Sequence, residues 1–221
     1  MKFAISAAFF VMSAFIGAAA HADDIPLESG TKWVDQQATT KQFRFRVAFD
    51  DAPGPADRPI PTALEVLDRV TGQRVQVISN FGSDGRGFSR DEDDFLWIID
   101  ANFDGFPDIA MEGFSGGAGP NSTDNFFLFD PKIQQFVYNE ELSGMPQISI
   151  DEDSKTITTS QRSSCCSHSS QTYHYQGGEL IEFENWDESM TADGEWMETT
   201  VGHLRNGKWE YDTTREPVEQ K

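Results

Sequence analysis

Between residues 125 and 212 one device recurs four times: two short segments of strand length, separated by a tight turn. The turns are Asp130-Pro131-Lys132, Asp151-Glu152-Asp153-Ser154, Gln176-Gly177-Gly178 and Arg205-Asn206-Gly207. Gly-Gly and Asn-Gly supply the positive φ that tight hairpins need, and flanking segments of four to six residues are too short for ordinary helices. A chain written this way lays each strand antiparallel beside the one before it.

The earlier part of the sequence follows the same grammar. Phe43, Phe45, Val47 and Phe49 alternate with Arg44, Arg46 and Ala48, which puts four large apolar groups on one face of a half-buried strand. Segments 63–68 and 74–79 flank Val70-Thr71-Gly72-Gln73, a second hairpin signature. Phe95-Leu96-Trp97-Ile98-Ile99 is a continuous apolar run of aromatic and β-branched residues, the pattern of a buried strand. Four prolines in 51–61 mark a loop, because proline removes backbone donors, and 81–94 reads as a second loop rich in glycine, serine and acids. No helix-length apolar stripe competes. The fold class is therefore all-β, an antiparallel meander of about twelve short strands whose edges must be hidden in a sandwich or a small propeller-like arrangement. No fixed period or recurring motif selects the propeller.

The 18 Phe and 5 Trp suffice for one sizeable core. A single domain is expected over 43–221, after a weakly ordered lead-in at 23–42. Met1-Lys2, the apolar run 3–20 and Ala20-His21-Ala22 have the three parts of a secretory signal peptide, so residues 1–22 are expected to be removed after Ala22. No later span of about 18 apolar residues follows, and no Cys stands at the cut. These features point to an exported, periplasmic protein without stable membrane insertion. A formal net charge of −20 disfavours nucleic acid, since it repels phosphate at long range.

Asp100-Ala101-Asn102-Phe103-Asp104-Gly105-Phe106-Pro107-Asp108 places oxygen ligands at positions 1, 3, 5 and 9 around a glycine at position 6. A hard divalent cation takes about six to eight oxygens, and alternate side chains turn inward only if the backbone curls round the ion. Gly105 permits that curl. Asp100, Asn102, Asp104 and Asp108, with the Phe106 carbonyl, are the expected ligands of Ca2+. The helix-loop-helix version of this loop is disfavoured because position 12 is Met111 rather than Glu, position 8 is Pro107, and the flanks read as strands.

The two cysteines, Cys165 and Cys166, are adjacent. In an oxidising compartment they invite a vicinal disulfide; a free dithiol, pairing with another chain, or zinc ligation with His168 are the alternatives, the last weakened by spacing unlike C-x₂₋₄-C. No G-x-S-x-G elbow or H-E-x-x-H is present, no Lys follows the glycines of 113–119, and no carboxylate pair stands out among 37 acids. The chain is read as a binding protein rather than an enzyme.

Three blocks together resemble a known family: 100–109, then Ser115-Gly116-Gly117-Ala118-Gly119, then Phe129-Asp130-Pro131-Lys132 with 136–142. They are similar to bacterial periplasmic calcium-binding proteins whose best-understood members are immunity proteins, inhibiting lysozyme-like effectors delivered by a type IV secretion system. The block 160–180, with Cys165, Cys166, Tyr173 and Tyr175, shares the likeness, which covers about residues 95–184. The resemblance implies a fold akin to invertebrate-type lysozyme inhibitors and a mechanism in which a loop enters the cleft of a peptidoglycan hydrolase. The loops 113–121 and 161–171 are then the candidates. Ser115, Gly116, Gly117, Arg162, His168 and Tyr173 are the expected partner-binding residues. A calcium-stabilised envelope or adhesion-like module without a hydrolase target is the alternative, and a cell-wall hydrolase in its own right, using carboxylates that no motif marks, is the third reading.

Overall fold

The computed structural model describes residues 32–50, 60–79, 91–114 and 121–218. The expected signal peptide, the proline-rich loop up to residue 59, the stretch 80–90 and the glycine-rich segment holding Ser115, Gly116 and Gly117 lie outside the described residues.

Fourteen strands run through the described residues, in three antiparallel sheets that are not closed into a barrel. The first sheet has the order β1 (Lys32–Thr39), β2 (Phe43–Asp50), β3 (Ile60–Asp68), β4 (Arg74–Ile78). The second runs β5 (Leu96–Ile99), β6 (Asp108–Glu112), β7 (Asp124–Asp130), β8 (Gln135–Tyr138). The third contains β9 (Ser149–Asp151), β10 (Thr156–Ser164), β11 (Ser167–Gln176), β12 (Glu179–Met190), β13 (Trp196–Arg205) and β14 (Lys208–Pro217), again in chain order. Within each sheet every strand thus pairs with its neighbour in sequence, the meander that the turn signals require. A 3-10 turn, Glu92–Asp94, and a short helix α1, Glu140–Ser143, interrupt it.

Fourteen strands stand where about twelve are expected, the all-β meander being the same. The segment 23–42, expected as a weakly ordered lead-in, carries β1 from Lys32 onward. Val34 and Ala38 of β1 pack against the core, and Gln36 anchors it: its amide donates to the Glu92 carbonyl at 2.8 Å and accepts from the Phe95 N–H at 2.9 Å. With few large apolar residues, β1 is held by an amide that periodicity does not register.

The sheets stack in series. Phe43, Phe45, Val47, Phe49, Leu64 and Val66 of the first sheet meet Leu96, Ile109, Met111, Phe127, Phe129 and Phe136 of the second, with Phe95, in one buried cluster. The opposite face of the second sheet presents Ala110 and Phe126, which with Ala101, Leu142 of α1 and Ile157 of the third sheet form another. Buried on both faces, the second sheet needs a continuous apolar run rather than alternation, which accounts for 95–99. Full burial of Phe45, Phe49, Phe95 and Phe127 contributes roughly 1.5–3 kcal/mol each. One charge is buried with them: Glu65 on β3 accepts from Arg46 Nε at 2.7 Å and Arg74 Nε at 2.6 Å, so the neighbouring strands neutralise it from both sides.

Candidate functional sites: an acidic loop and a hairpin tip

The loop 100–107 connects β5 to β6, whose register pairs Ile99 with Asp108. Two residues with positive φ curl it, Phe103 at 60° and Gly105 at 86°. Positive φ is uncommon outside glycine; Phe103 is held there with its ring edge-on to Tyr175 of β11, centroids 6.2 Å apart. Backbone donors gather the alternate side chains. The Asp104 N–H donates to Asp100 Oδ1 at 3.0 Å and to Asn102 Oδ1 at 3.1 Å, Gly105 N–H donates to Asp100 Oδ2 at 2.9 Å, and Phe106 N–H donates to Asp104 Oδ1 at 2.9 Å. The Asn102 amide donates to Asp104 Oδ2 at 2.9 Å.

Asp108 behaves differently from the other expected ligands. It is fully buried, and its two oxygens accept the N–H groups of Ala101 at 2.9 Å and Phe129 at 2.8 Å. Burial pushes its pKa up to about 7; the Asp104 and Asp100 charges add to the rise, and the Phe129 and Ala101 N–H groups oppose it. Asp108 thus ties the loop to β7 and spends its first lone pairs on backbone. Among the described residues no three His, Cys, Asp or Glu side chains are gathered as a metal site. A coordination shell on this loop would draw on the Asn102 amide and the Phe106 carbonyl beside the Asp100 and Asp104 carboxylates. Those four oxygen donors suit a hard cation, and each carboxylate keeps spare lone pairs after its N–H bonds.

Sequence reasoning assigned no site to the cleft beside this loop. Thr40, Lys41, Gln42, Phe43, Gly105, Phe106, Pro107, Phe129 and Gln134 line an open cleft of about 390 Å³. Its walls come from the β1–β2 turn, the acidic loop and the β7–β8 turn, so no local spacing could have signalled it.

The expected loop 161–171 is mostly paired strand. β10 and β11 stay in register from Ile157↔Tyr173 through Gln161↔Ser169 and Arg162↔His168, with a bulge before Ser164↔Ser167. Only Cys165 and Cys166 form the turn. The serines and polar residues here resemble loop composition, but β11 pairs with β12 as well as β10, so its backbone groups are satisfied on both sides. Arg162 is exposed and His168 partly so at the tip end. Tyr173 lies towards the other end, half-buried against the second apolar cluster, and that burial raises its pKa. The structure therefore brings Arg162 and His168 together and separates Tyr173 from them.

The outer edge of β10 is clamped by residues that follow the glycine-rich segment. Asn121 donates to the Arg162 carbonyl at 2.9 Å and accepts from the Arg162 N–H at 2.8 Å. Gln147 donates to the Ser160 carbonyl at 3.1 Å, and its own N–H donates to the Ser122 carbonyl at 2.7 Å. Beyond β9, which pairs only with 156–158, these amides take the place of a strand. The cysteines stand as free thiols with their Sγ atoms 2.9 Å apart.

No family model matches the chain, and no curated protein matches it. A solved structure described as "Structure of a Xanthomonas Type IV Secretion System related protein" is weakly similar. Its TM-score is 0.47 at 17% identity, over 89% of this chain and 98% of that one.

Proposed function

We propose that this chain is an exported, periplasmic binding protein that inhibits a peptidoglycan hydrolase through the region where Asn121 meets the β10–β11 hairpin. The observation that carries the reading is the Asn121–Arg162 clamp, which ties together the ends of the two loops singled out by sequence. Hydrogen bonds on both sides of β11 and the clamp on β10 fix Arg162 and His168 before any partner arrives, so little ordering entropy is left to lose on binding. A guanidinium and an imidazole beside several serines offer donors to the carboxylates of a hydrolase cleft. The net charge of −20 favours fast encounter with a basic enzyme. The resemblance over 95–184 points the same way.

Calcium is the proposed resident ion of the acidic loop. Asp100, Asn102 and Asp104, with the Phe106 carbonyl, would hold it, and Asp108 would brace the loop from below through backbone N–H bonds. When bound, the ion supplies positive charge that offsets repulsion among these carboxylates. An ion that binds only the folded chain raises stability, so melting temperature should rise with added calcium and fall with chelator. The response should vanish in Asp104→Ala.

Inhibition is tested by titrating the mature chain against lysozyme-type muramidases and against hydrolases recovered from its own envelope. Stoichiometric loss of muramidase turnover is expected, weakened at least tenfold in Arg162→Ala with an unchanged melting curve. Full turnover of every hydrolase at excess chain would remove the reading, and recovery of envelope polymer instead would favour a structural module.

A further inference from the structure

The β10–β11 hairpin ends in two thiols and nothing else: Cys165 is exposed, Cys166 half-buried, and their sulfur atoms stand 2.9 Å apart. A disulfide bond needs about 2.03–2.05 Å, so less than about 1 Å of approach separates the dithiol from the bonded pair. The tip is anchored on both sides. The Met190 N–H at the end of β12 donates to the Cys166 carbonyl at 3.0 Å, the Cys166 N–H donates to Ser164 Oγ at 3.2 Å, and Arg162 Nε donates to the Ser164 carbonyl at 3.0 Å. Any change of sulfur bonding is thereby confined to the turn.

We propose that Cys165 and Cys166 form a reversible redox site that reacts with disulfide oxidants to close a vicinal disulfide. The Cys165 thiolate, the more exposed of the two, attacks a sulfur of the oxidant; the oxidant's S–S bond breaks, a mixed disulfide forms at Cys165, and the first thiolate leaves. Cys166 then attacks the Cys165 sulfur and expels the second thiolate. The two protons lost by the cysteines end on the two thiols released, and two electrons pass to the oxidant. In the dithiol the hydrogen bond with Cys165, followed by burial and the Cys165 charge, holds the Cys166 thiol above its ordinary pKa, while Arg162 opposes this.

Reversibility follows from covalent geometry. Adjacent Cα atoms are about 3.8 Å apart across a trans peptide, whereas disulfides ordinarily span about 4.4–6.8 Å. The closed ring is strained, and strained disulfides are the readily reduced, regulatory ones. The site is thus built to report redox state at the tip rather than to staple the fold.

The test uses the mature chain in buffers of oxidised and reduced glutathione, followed by alkylation and intact mass. Oxidised buffer should abolish both alkylatable thiols with the loss of two hydrogens and no added mass, in a monomer, and excess reduced glutathione should restore both. Cys165→Ser and Cys166→Ser should instead keep a glutathione adduct or cross-link two chains. Two thiols that stay alkylatable in oxidised buffer, a wild type that carries adducts or dimerises, or a disulfide that resists excess reduced glutathione would each overturn the proposal. None of these readouts depends on a hydrolase.

Discussion

Asp108 shows what a ligand spacing leaves out. The pattern of Asp100, Asn102, Asp104 and Gly105 was legible because alternate residues round a curl must converge, and the backbone N–H bonds within the loop gather those side chains. Position 9 belongs to the same arithmetic, yet its carboxylate is turned onto the N–H groups of Ala101 and Phe129. Spacing cannot reveal that, because Phe129 arrives from a strand 21 residues away. Asp108→Ala should therefore destabilise the fold even in chelator, by on the order of 3 kcal/mol, since it strands two buried backbone donors at about 1–3 kcal/mol each. Asp104→Ala should cost far less under those conditions, because Asp104 is exposed. Urea midpoints of the two variants in chelator decide the order. Tyr173, expected through the resemblance as a partner-binding residue, is a similar case: it pairs with Ile157 and packs half-buried against the second apolar cluster.

At the level of the element, hairpins were readable from their turns and sheet edges were not. Gly72, Gly177, Gly178 and Gly207 all adopt the positive φ that their turns demand. Between the first two layers, glutamine side chains add hydrogen bonds to the apolar contact. Gln36 bridges β1 to the Glu92–Phe95 segment, and Gln76 on β4 donates to the Phe136 carbonyl at 2.8 Å and accepts from its N–H at 2.9 Å. Each amide mimics one rung of a strand ladder between layers, and a polar residue on a strand gives no hint of it. Gln76→Ala and Gln36→Ala should each lower stability by about 1–3 kcal/mol through the unpaired backbone groups left behind. Gln76→Glu, which loses the donor but keeps the acceptor, should fall between wild type and Gln76→Ala. Turn aspartates add a pH signature. The Thr71 N–H and hydroxyl lower the Asp68 pKa, the Ser154 N–H that of Asp151, and the Thr191 hydroxyl that of Asp193. With folded values below the usual aspartate value of about 3.9, their stabilisation is present at neutral pH and is lost as pH falls through the folded values. Melting curves from about pH 7 down to about pH 3 should drop less steeply in the triple Asp→Asn variant at 68, 151 and 193 than in wild type.

Across the whole molecule the three meanders are unequal partners. The first two sheets share a core rich in phenylalanine, and the third joins them through β9, β10, β11 and the start of β12, where Ile157, Tyr173, Tyr175 and Leu180 pack. No side chain of β13 or β14 enters either apolar cluster. Tyr211 of β14 is 58% exposed, its ring stacked on Trp209 and laid across Gly202, where a Cβ would come within 2.7 Å of it. This wing is held by strand pairing and surface contacts rather than by a core. The segments 199–204 and 208–212 are marked as strands by the Asn206-Gly207 turn between them, and a turn signal does not tell a strand packed on a core from one that only pairs with its neighbours. Local opening free energies track buried apolar contact, so native-state hydrogen exchange should divide the fold. Amides of β13 and β14 should exchange through sub-global opening, roughly a hundredfold faster than those of β2, β6 and β7, which should exchange only on global unfolding. The β10–β11 pairing should group with the core, because the Asn121 clamp and β12 hold it on both sides. Exchange of β10–β11 at the rate of β14 would mean that the tip moves with the wing, and a binding surface fixed before its partner arrives would then have no support.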